Sequence, residues 1–326
     1  MRPMTASCCQ GRVLIALYGF DVLGTVLVDR ALRIRSLKLW ELDVRQKLGL
    51  CALALVLVWP GAASAMQTAT NWSVGHKSRT RLIVGSKPGE QGEAVYYAGL
   101  EIKMELGWKT YWRQPGDDGG IPPYFNWSKS INLKGTNVLF PAPERFVEST
   151  GESIGYKKHV VLPVKIEAMN ASQKVGLAVQ FEYGVCRDIC IPAQAKLALE
   201  VDLRQLLQMP PQLARAINQV PRSAKQAGSS LPNLLKVQAD YDGPKPTLRF
   251  RGSFSGDLNQ ADLFVDAGRR IYLPITKKTG NNGGAEIDFE IDLSKGVKIA
   301  ALKGKSVLVT LVSDAGSVDV VHTLPK

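Results

Sequence analysis

The residues best suited to chemistry in this chain are two cysteines in the stretch YGVCRDICIP, residues 183–192. Cys186 and Cys190 are separated by three residues and lie between two strand-like runs. A turn over residues 187–189 would set them across the neck of a hairpin, at a Cα separation that a disulfide accepts. A single helical turn would also place them on one face. The spacing therefore predicts a pair that can close in either geometry.

Three kinds of chemistry suit such a pair. Closing so small a loop removes little entropy from the unfolded chain, which favours thiol–disulfide exchange over a purely structural disulfide. The structural disulfide stays open, because small secreted loops do carry them. Thiolates also bind soft ions such as Cu(I). The histidines and methionines do not stand at ligand spacing to the cysteines, so we expect no metal ligand set and no cofactor.

The compartment decides the state of the pair, and residues 45–65 indicate export. A basic segment, RQK, precedes the apolar run LGLCALALVLV and the small residues AASA. This is the pattern of a secretory signal peptide, with cleavage predicted after Ala65. A membrane anchor is the alternative, although the run is shorter than the ~20 residues of a spanning helix. Residues 1–44 would then be an upstream extension, and we hypothesise a start near Val44.

Removal of residues 1–65 would take away Cys8, Cys9 and Cys51. Only the close pair would then remain, in an oxidising compartment where it would be disulfide-bonded unless something reduces it. No long apolar segment follows residue 65, so we expect a soluble, periplasmic protein.

Charge and pattern limit the remaining choices. The chain has 41 basic and 29 acidic residues. The excess is spread along the chain without a basic cluster that interleaves aromatics, so we expect no nucleic-acid partner. Short alternating or β-branched runs, separated by Gly, Pro, Asn and Ser, predict antiparallel strands on both sides of a helical, Pro-interrupted connector. The predicted domains are a first β-domain over 66–203, a linker over 204–229 and a smaller β-sandwich over 230–326.

Three blocks in the first of these domains resemble one family. They are GWKTYWRQPGDDGGIPPYFNW (107–127), FPAPERFVESTGESIGYKKHVVLPV (140–164) and FEYGVCRDICIPAQAKLALEV (181–201). In this order they resemble the amino-terminal periplasmic domain of the DsbD thiol–disulfide interchange proteins. They resemble still more closely the related ScsB-type proteins linked to copper tolerance. The clear resemblance covers about residues 95–203, and the rest follows the ScsB-type layout more loosely.

The resemblance implies an immunoglobulin-like β-sandwich for the first domain. Together with the strand pattern, it leads us to expect an all-β protein of two immunoglobulin-like β-sandwich domains joined by a short helical connector. It also implies that Cys186 and Cys190 receive electrons from a membrane-embedded thiol reductase and pass them to periplasmic thioredoxin-fold disulfide proteins. In the family the second cysteine forms the mixed disulfide, so Cys190 would attack and Cys186 would resolve. The chain would act in trans, as an electron-transfer component of a protein-disulfide reductase system. A non-redox interaction protein and a copper-handling protein are the alternatives.

The family covers its cysteine pair with a cap loop, and the matching segment here is residues 151–160. Tyr156 would be the cap aromatic, with Ile154 as its rival. Tyr111 and Trp112 fall where the family has site-lining aromatics, although core packing is the alternative for both. Asp188 lies between the cysteines beside Arg187. The carboxylate would raise the pKa of a nearby thiol, and the guanidinium would lower it.

Overall fold

The computed structural model of this protein describes residues 67–148, 151–281 and 284–326. The predicted signal peptide, the upstream extension and the hypothesised start all fall outside these ranges. Within them, no helix is both long enough and apolar enough to cross a membrane.

Most of the described chain is β-strand, which confirms the predicted all-β class. The strands are β1 Ser73–Gly75, β2 Ser78–Pro88, β3 Ala94–Met104, β4 Lys109–Gly116, β5 Tyr124–Asn126, β6 Leu133–Val138, β7 Glu144–Glu148, β8 Gly151–Lys157, β9 His159–Ala168, β10 Val175–Cys186, β11 Cys190–Val201, β12 Arg222–Ser223, β13 Asn233–Asp240, β14 Thr247–Ser253, β15 Asp262–Asp266, β16 Lys277–Asn281, β17 Glu286–Asp292, β18 Ser306–Ser313 and β19 Gly316–Thr323. The helices are α1 Pro211–Asn218 and 3₁₀ turns at Leu203–Gln205, Ala224–Gln226 and Ile299–Ala301.

The first sandwich packs two sheets face to face. Sheet 1 has the order β1-β2-β3-β9-β6, and sheet 2 has the order β11-β10-β4-β8-β7, with β5 paired to β10. Side chains alternate between buried and exposed along the strands, as the sequence pattern predicts. In the second half of β11 every second side chain is buried, and these buried side chains are apolar. Tyr183 joins the two sheets, because its hydroxyl lies 2.8 Å from the Ser78 hydroxyl.

The connector contains less helix than its sequence suggests. The helix α1 begins at Pro211. Proline is well tolerated there because N–H groups in the first turn have no intrahelical acceptor, so the missing N–H group of proline breaks no hydrogen bond. Its buried residues, Leu213 and Ala216, pack on Ile83, Tyr97 and Val161 of sheet 1. Further along, β12 pairs in parallel with β19, so part of the predicted linker contributes a strand to the second half of the molecule. The predicted domain boundaries themselves stay predictions.

The second sandwich consists of sheet 3, β12-β19-β18-β15, and sheet 4, β13-β14-β17-β16. It contacts the first sandwich along an apolar and charged interface. Phe264 and Ile275 belong to the hydrophobic cluster of the first sandwich. Arg145 of β7 makes a two-pronged pair with Asp262 of β15, at 2.7 and 2.8 Å. Such paired guanidinium–carboxylate contacts fix orientation as well as distance.

Candidate functional site

The cysteine pair lies at the closed end of the hairpin formed by β10 and β11. The two strands pair without a register shift from Val175↔Val201 to Cys186↔Cys190. A backbone hydrogen bond of 3.1 Å from the Arg187 N–H group to the Ile189 carbonyl closes the turn. Cys186 and Cys190 are disulfide-bonded, with their Cα atoms 4.2 Å apart. Of the two geometries that the spacing allowed, the structure has the hairpin.

The two halves of the disulfide differ in exposure. Cys186 is 1% exposed, whereas Cys190, the first residue of β11, is exposed. A thiolate of another protein must approach a disulfide sulfur directly in order to attack it. The exposed residue is therefore the one that a large partner can reach.

Tyr111 is the side chain in direct contact with the reachable sulfur. Its hydroxyl oxygen lies 2.9 Å from Cys190 Sγ. A disulfide sulfur has no hydrogen, so the phenol must be the donor. Burial, reinforced by the carboxylates of Asp118 and Glu148, raises the pKa of Tyr111 to about 12. The phenol therefore remains protonated, and able to donate, throughout the physiological pH range.

Glycines create the slot that holds the Tyr111 ring. A Cβ atom on Gly120 would lie 2.4 Å from Tyr111 Cζ, and one on Gly184 would lie 3.2 Å from Tyr111 Cδ2. Gly120 also has φ +145°, a conformation that L side chains rarely adopt. The ring is thus held between two backbone segments, which fixes the hydroxyl against Cys190.

The segment on the solvent side of this ring is residues 117–123, which we call the cover loop. The Ile121 carbonyl accepts a 2.9 Å hydrogen bond from the Gly184 N–H group, two residues before Cys186. The Asp118 N–H group donates to the Glu152 carbonyl at 3.1 Å. The cover loop therefore lies across the end of sheet 2 beside the disulfide. Sequence reasoning did not predict this role of residues 117–123.

Lys109 is a further residue that sequence reasoning missed. It is the register partner of Cys186 on β4 and is 2% exposed. Its ammonium group is paired with Glu148 and donates to the Ser153 hydroxyl at 2.8 Å. A cation beside a cysteine favours the thiolate, and here the carboxylate of Glu148 partly offsets that effect. The signal was the two-residue spacing to Tyr111, which puts both residues on one face of β4.

Asp188 lies in the turn between the cysteines, as its position predicts. Its carboxylate is 2.8 Å from Arg187 Nε, and both side chains are largely exposed. The Arg187 guanidinium in turn lies 5.5 Å from the centroid of the Trp108 ring. Exposed ion pairs of this kind contribute little free energy, so we assign this pair no large part in the stability of the turn.

Three of the predicted site residues lie on the other face of sheet 2. Trp112, Ile154 and Tyr156 belong to the inner core cluster, between the two sheets. The Tyr156 hydroxyl donates to the Pro141 carbonyl at 2.8 Å, and Trp112 lies 5.8 Å from the ring of Phe264. The core-packing alternative therefore describes Trp112, and the structure does not bring Ile154 or Tyr156 to the sulfurs.

The predicted cap segment needs the same correction. Residues 151–160 form β8 and the start of β9 instead of a loop over the disulfide. Both edges of β8 are used, since it pairs with β4 on one side and with β7 on the other. This pairing holds Tyr156 opposite Thr110, whose side chain also faces inward. The cover loop, and not residues 151–160, packs against the Tyr111 ring that contacts Cys190 Sγ.

Among the residues that the structure describes, no group of three His, Cys, Asp or Glu side chains is arranged to hold a metal ion. The chemistry that this arrangement offers rests on the disulfide itself. It combines an accessible sulfur, a buried partner sulfur and a neutral hydrogen-bond donor to the accessible one.

Comparison with known proteins agrees with this geometry. No curated protein matches the chain. Among solved structures, the N-terminal periplasmic domain of ScsB from Proteus mirabilis matches with a TM-score of 0.58 and 22% identity, over 79% of this chain and 99% of that one. That likeness extends over both sandwiches and shows the fold. The family described as thiol:disulfide interchange protein DsbD, N-terminal, matches residues 91–202, which include both cysteines, Tyr111 and the cover loop. Residues 91–202 are therefore similar to the N-terminal domain of the DsbD thiol–disulfide interchange proteins, and within them Cys186 and Cys190 form a disulfide.

Proposed function

We propose that this protein is a periplasmic relay that carries electron pairs through Cys186 and Cys190. It would take them from a membrane-embedded thiol reductase and deliver them to periplasmic disulfide proteins of the thioredoxin fold. The observation that carries the proposal is the unequal exposure of the two sulfurs, with Cys190 accessible and Cys186 buried. A relay needs one sulfur that partners can reach and a second, protected one that resolves the mixed disulfide with the client.

The charging half of the cycle begins with the oxidised pair. A thiolate of the donor attacks Cys190 Sγ, the Cys186–Cys190 bond breaks, and Cys186 leaves as a thiolate that takes up a proton. The second donor thiol, as a thiolate, then attacks the donor sulfur in the mixed disulfide and releases Cys190. The donor ends as a disulfide and this protein as a dithiol, so two electrons and two protons have moved.

The delivery half reverses these roles. The Cys190 thiolate attacks the disulfide of the client, and one client sulfur leaves as a thiolate. The Cys186 thiolate then attacks Cys190 Sγ, which reforms the intramolecular disulfide and releases the second client sulfur. The client gains the two electrons and becomes a dithiol. Cys190 is the bonded partner of the other protein in both halves.

Tyr111 and Lys109 assist different sulfurs in this scheme. The Tyr111 phenol, 2.9 Å from Cys190 Sγ, would stabilise a thiolate there by a charge-assisted hydrogen bond. Lys109, paired in register with Cys186, brings a cation to the neighbouring strand. Both groups favour the charged, reactive form of a thiol over its neutral form.

A redox titration of the purified protein tests the proposal. The protein is equilibrated with glutathione or dithiothreitol buffers, free thiols are alkylated, and the products are separated by mass. We expect a reduction midpoint within the range of exchange proteins, about −120 to −270 mV. A structural disulfide would have a reduction potential below about −300 mV and would resist reduction until the protein unfolds. That result would contradict the relay and favour a non-redox interaction protein.

A further inference from the structure

The second sandwich makes direct contacts with the cover loop, and these contacts suggest a role for that domain in the chemistry. At the start of the loop, Asp117 Oδ1 accepts a 2.9 Å hydrogen bond from the Ile275 N–H group and a 3.2 Å bond from the Tyr272 hydroxyl. At the end of the loop, the Pro123 carbonyl accepts a 2.9 Å hydrogen bond from the Arg269 guanidinium. Residues 269–275 of the second sandwich therefore hold both ends of the cover loop.

Apolar contacts reinforce the same attachment. A Cβ atom on Gly116 would lie 2.7 Å from the Ile275 side chain, so Ile275 packs directly on the backbone that enters the loop. Ile275 is 5% exposed and belongs to the core cluster of the first sandwich. The Arg269 guanidinium also lies 5.5 Å from the centroid of the Tyr124 ring, just beyond the loop. The attachment is thus built from hydrogen bonds, a buried aliphatic side chain and a cation–aromatic contact.

The middle of the loop connects this attachment to the disulfide. Gly120 lies against the Tyr111 ring, and the Tyr111 hydroxyl lies against Cys190 Sγ. Displacing the loop would release one side of the slot that fixes the ring. Ile275 holds the loop at Asp117 and Arg269 holds it at Pro123. Between these two points the loop backbone carries Gly120, which packs on Tyr111 and so reaches the sulfur.

We propose that residues 269–275 of the second sandwich are positioning residues for the exchange reaction. By fixing the cover loop, they hold the Tyr111 hydroxyl on Cys190 and so set how readily the disulfide is reduced. The inference rests on the proposed function and assigns the second sandwich a part in it. A phenol held on the sulfur favours the reduced form, because a hydrogen bond to a thiolate is stronger than one to a disulfide sulfur. Loosening the loop should therefore make reduction less favourable.

The test measures the equilibrium constant for reduction by glutathione in the full protein. Asp117→Ala removes the acceptor for Ile275 and Tyr272, whereas Asp117→Asn keeps an oxygen at that position and should restore wild-type behaviour. Arg269→Ala removes the second attachment and serves as an independent variant if Asp117→Ala folds poorly. For the alanine variants we expect the constant to fall about threefold to tenfold, where tenfold corresponds to about 30 mV.

The matched control is Arg249→Ala. Arg249 also belongs to the second sandwich, but it pairs with Glu290 on the exposed face of sheet 4, at 3.0 Å. Its removal should leave the reduction constant unchanged. A similar fall in this control would mean that the constant reports general destabilisation of the second sandwich.

A double-mutant cycle with Tyr111→Phe separates positioning from structure. If the loop acts through the phenol, Asp117→Ala should change the constant in the wild-type background and have little further effect in Tyr111→Phe. Equal effects in both backgrounds, or an unchanged constant in Asp117→Ala and Arg269→Ala, would overturn the inference. A wild-type disulfide that glutathione and dithiothreitol cannot reduce in the folded protein would instead overturn the proposed function.

Discussion

The two faces of sheet 2 are built from the same strands but serve different purposes, and two buried tyrosines show the difference. Tyr111 on β4 points to the outer face and donates to Cys190 Sγ, while Tyr156 on β8 points inward and donates to the Pro141 carbonyl. Burial raises the pKa of both phenols, so both are neutral donors. What separates them is the acceptor: a disulfide sulfur on one face and a backbone carbonyl on the other. The face of the strand, more than the residue type, assigns a side chain to chemistry or to packing.

The largest expected effects come from the cysteines on the outer face. Cys190→Ser should abolish exchange, and Cys186→Ser should trap a mixed disulfide through Cys190, because the resolving thiol is missing. Incubation with a thioredoxin-fold disulfide protein, followed by non-reducing electrophoresis and peptide mapping, measures the adduct. Trapping through Cys186 in Cys190→Ser, without the converse, would reverse the assigned roles.

On the inner face, Trp112→Ala should affect stability instead of redox behaviour. Trp112 is fully buried against Phe264 and between the sheets, and removal of such a ring costs about 3–5 kcal/mol of unfolding free energy. Urea denaturation measures this loss, and Trp112→Phe provides a milder variant if the alanine variant does not fold. The reduction midpoint of the folded variant should stay at the wild-type value; a shift as large as that of Tyr111→Phe would contradict the separation of the two faces.

The tyrosine pair gives the most direct comparison, because the same change is made on each face. Tyr111→Phe should lower the equilibrium constant for reduction about tenfold, since the thiolate of Cys190 loses a charge-assisted hydrogen bond. Tyr156→Phe should leave that constant unchanged and cost about 1–3 kcal/mol of stability, because it leaves the buried Pro141 carbonyl without this donor. Parallel redox titrations and urea denaturation of both variants measure the contrast, and identical behaviour would remove it.

The smallest expected effect is a difference in the alkaline pH dependence of stability. The pKa of Tyr111 is about 12 in the folded protein, above its usual value of 10. The folded state therefore favours the protonated phenol. The stability that this preference adds to the free energy of unfolding is fully present below pH 10 and is lost as the pH rises from 10 towards 12. Wild-type protein should lose more stability than Tyr111→Phe between pH 10 and 12, as measured by urea denaturation. Parallel curves for the two proteins would show that Tyr111 ionises freely.

The sequence predicted the residues that are close together along the chain. Cys186 and Cys190 could be recognised from their spacing, and the hairpin was one of the two geometries that the sequence allowed. Tyr111 was predicted as a site-lining residue from the family resemblance, and it is in direct contact with Cys190.

The sequence did not predict which face each neighbour occupies. A shift of one residue in a strand moves a side chain to the opposite face, so the family match over residues 151–160 did not decide which side chains face the sulfurs. Ile154 and Tyr156 were therefore expected at the sulfurs but lie in the core. Lys109 and the cover loop depend on pairing between strands far apart in sequence, namely Cys186↔Lys109 and the Ile121–Gly184 hydrogen bond. The spacing of Lys109 from Tyr111 indicates a shared face of β4, but no local pattern shows that this face meets Cys186.

The insertion of Phe264 and Ile275 into the core cluster of the first sandwich has a thermodynamic consequence. When two domains share buried side chains, neither can unfold without exposing apolar surface of the other, so their unfolding is coupled. Heating should therefore melt both sandwiches in one calorimetric transition. The free energy of unfolding that keeps the disulfide in its folded surroundings then belongs to the joined pair of domains. A destabilising substitution in the core of the second sandwich should therefore lower the melting temperature of the first.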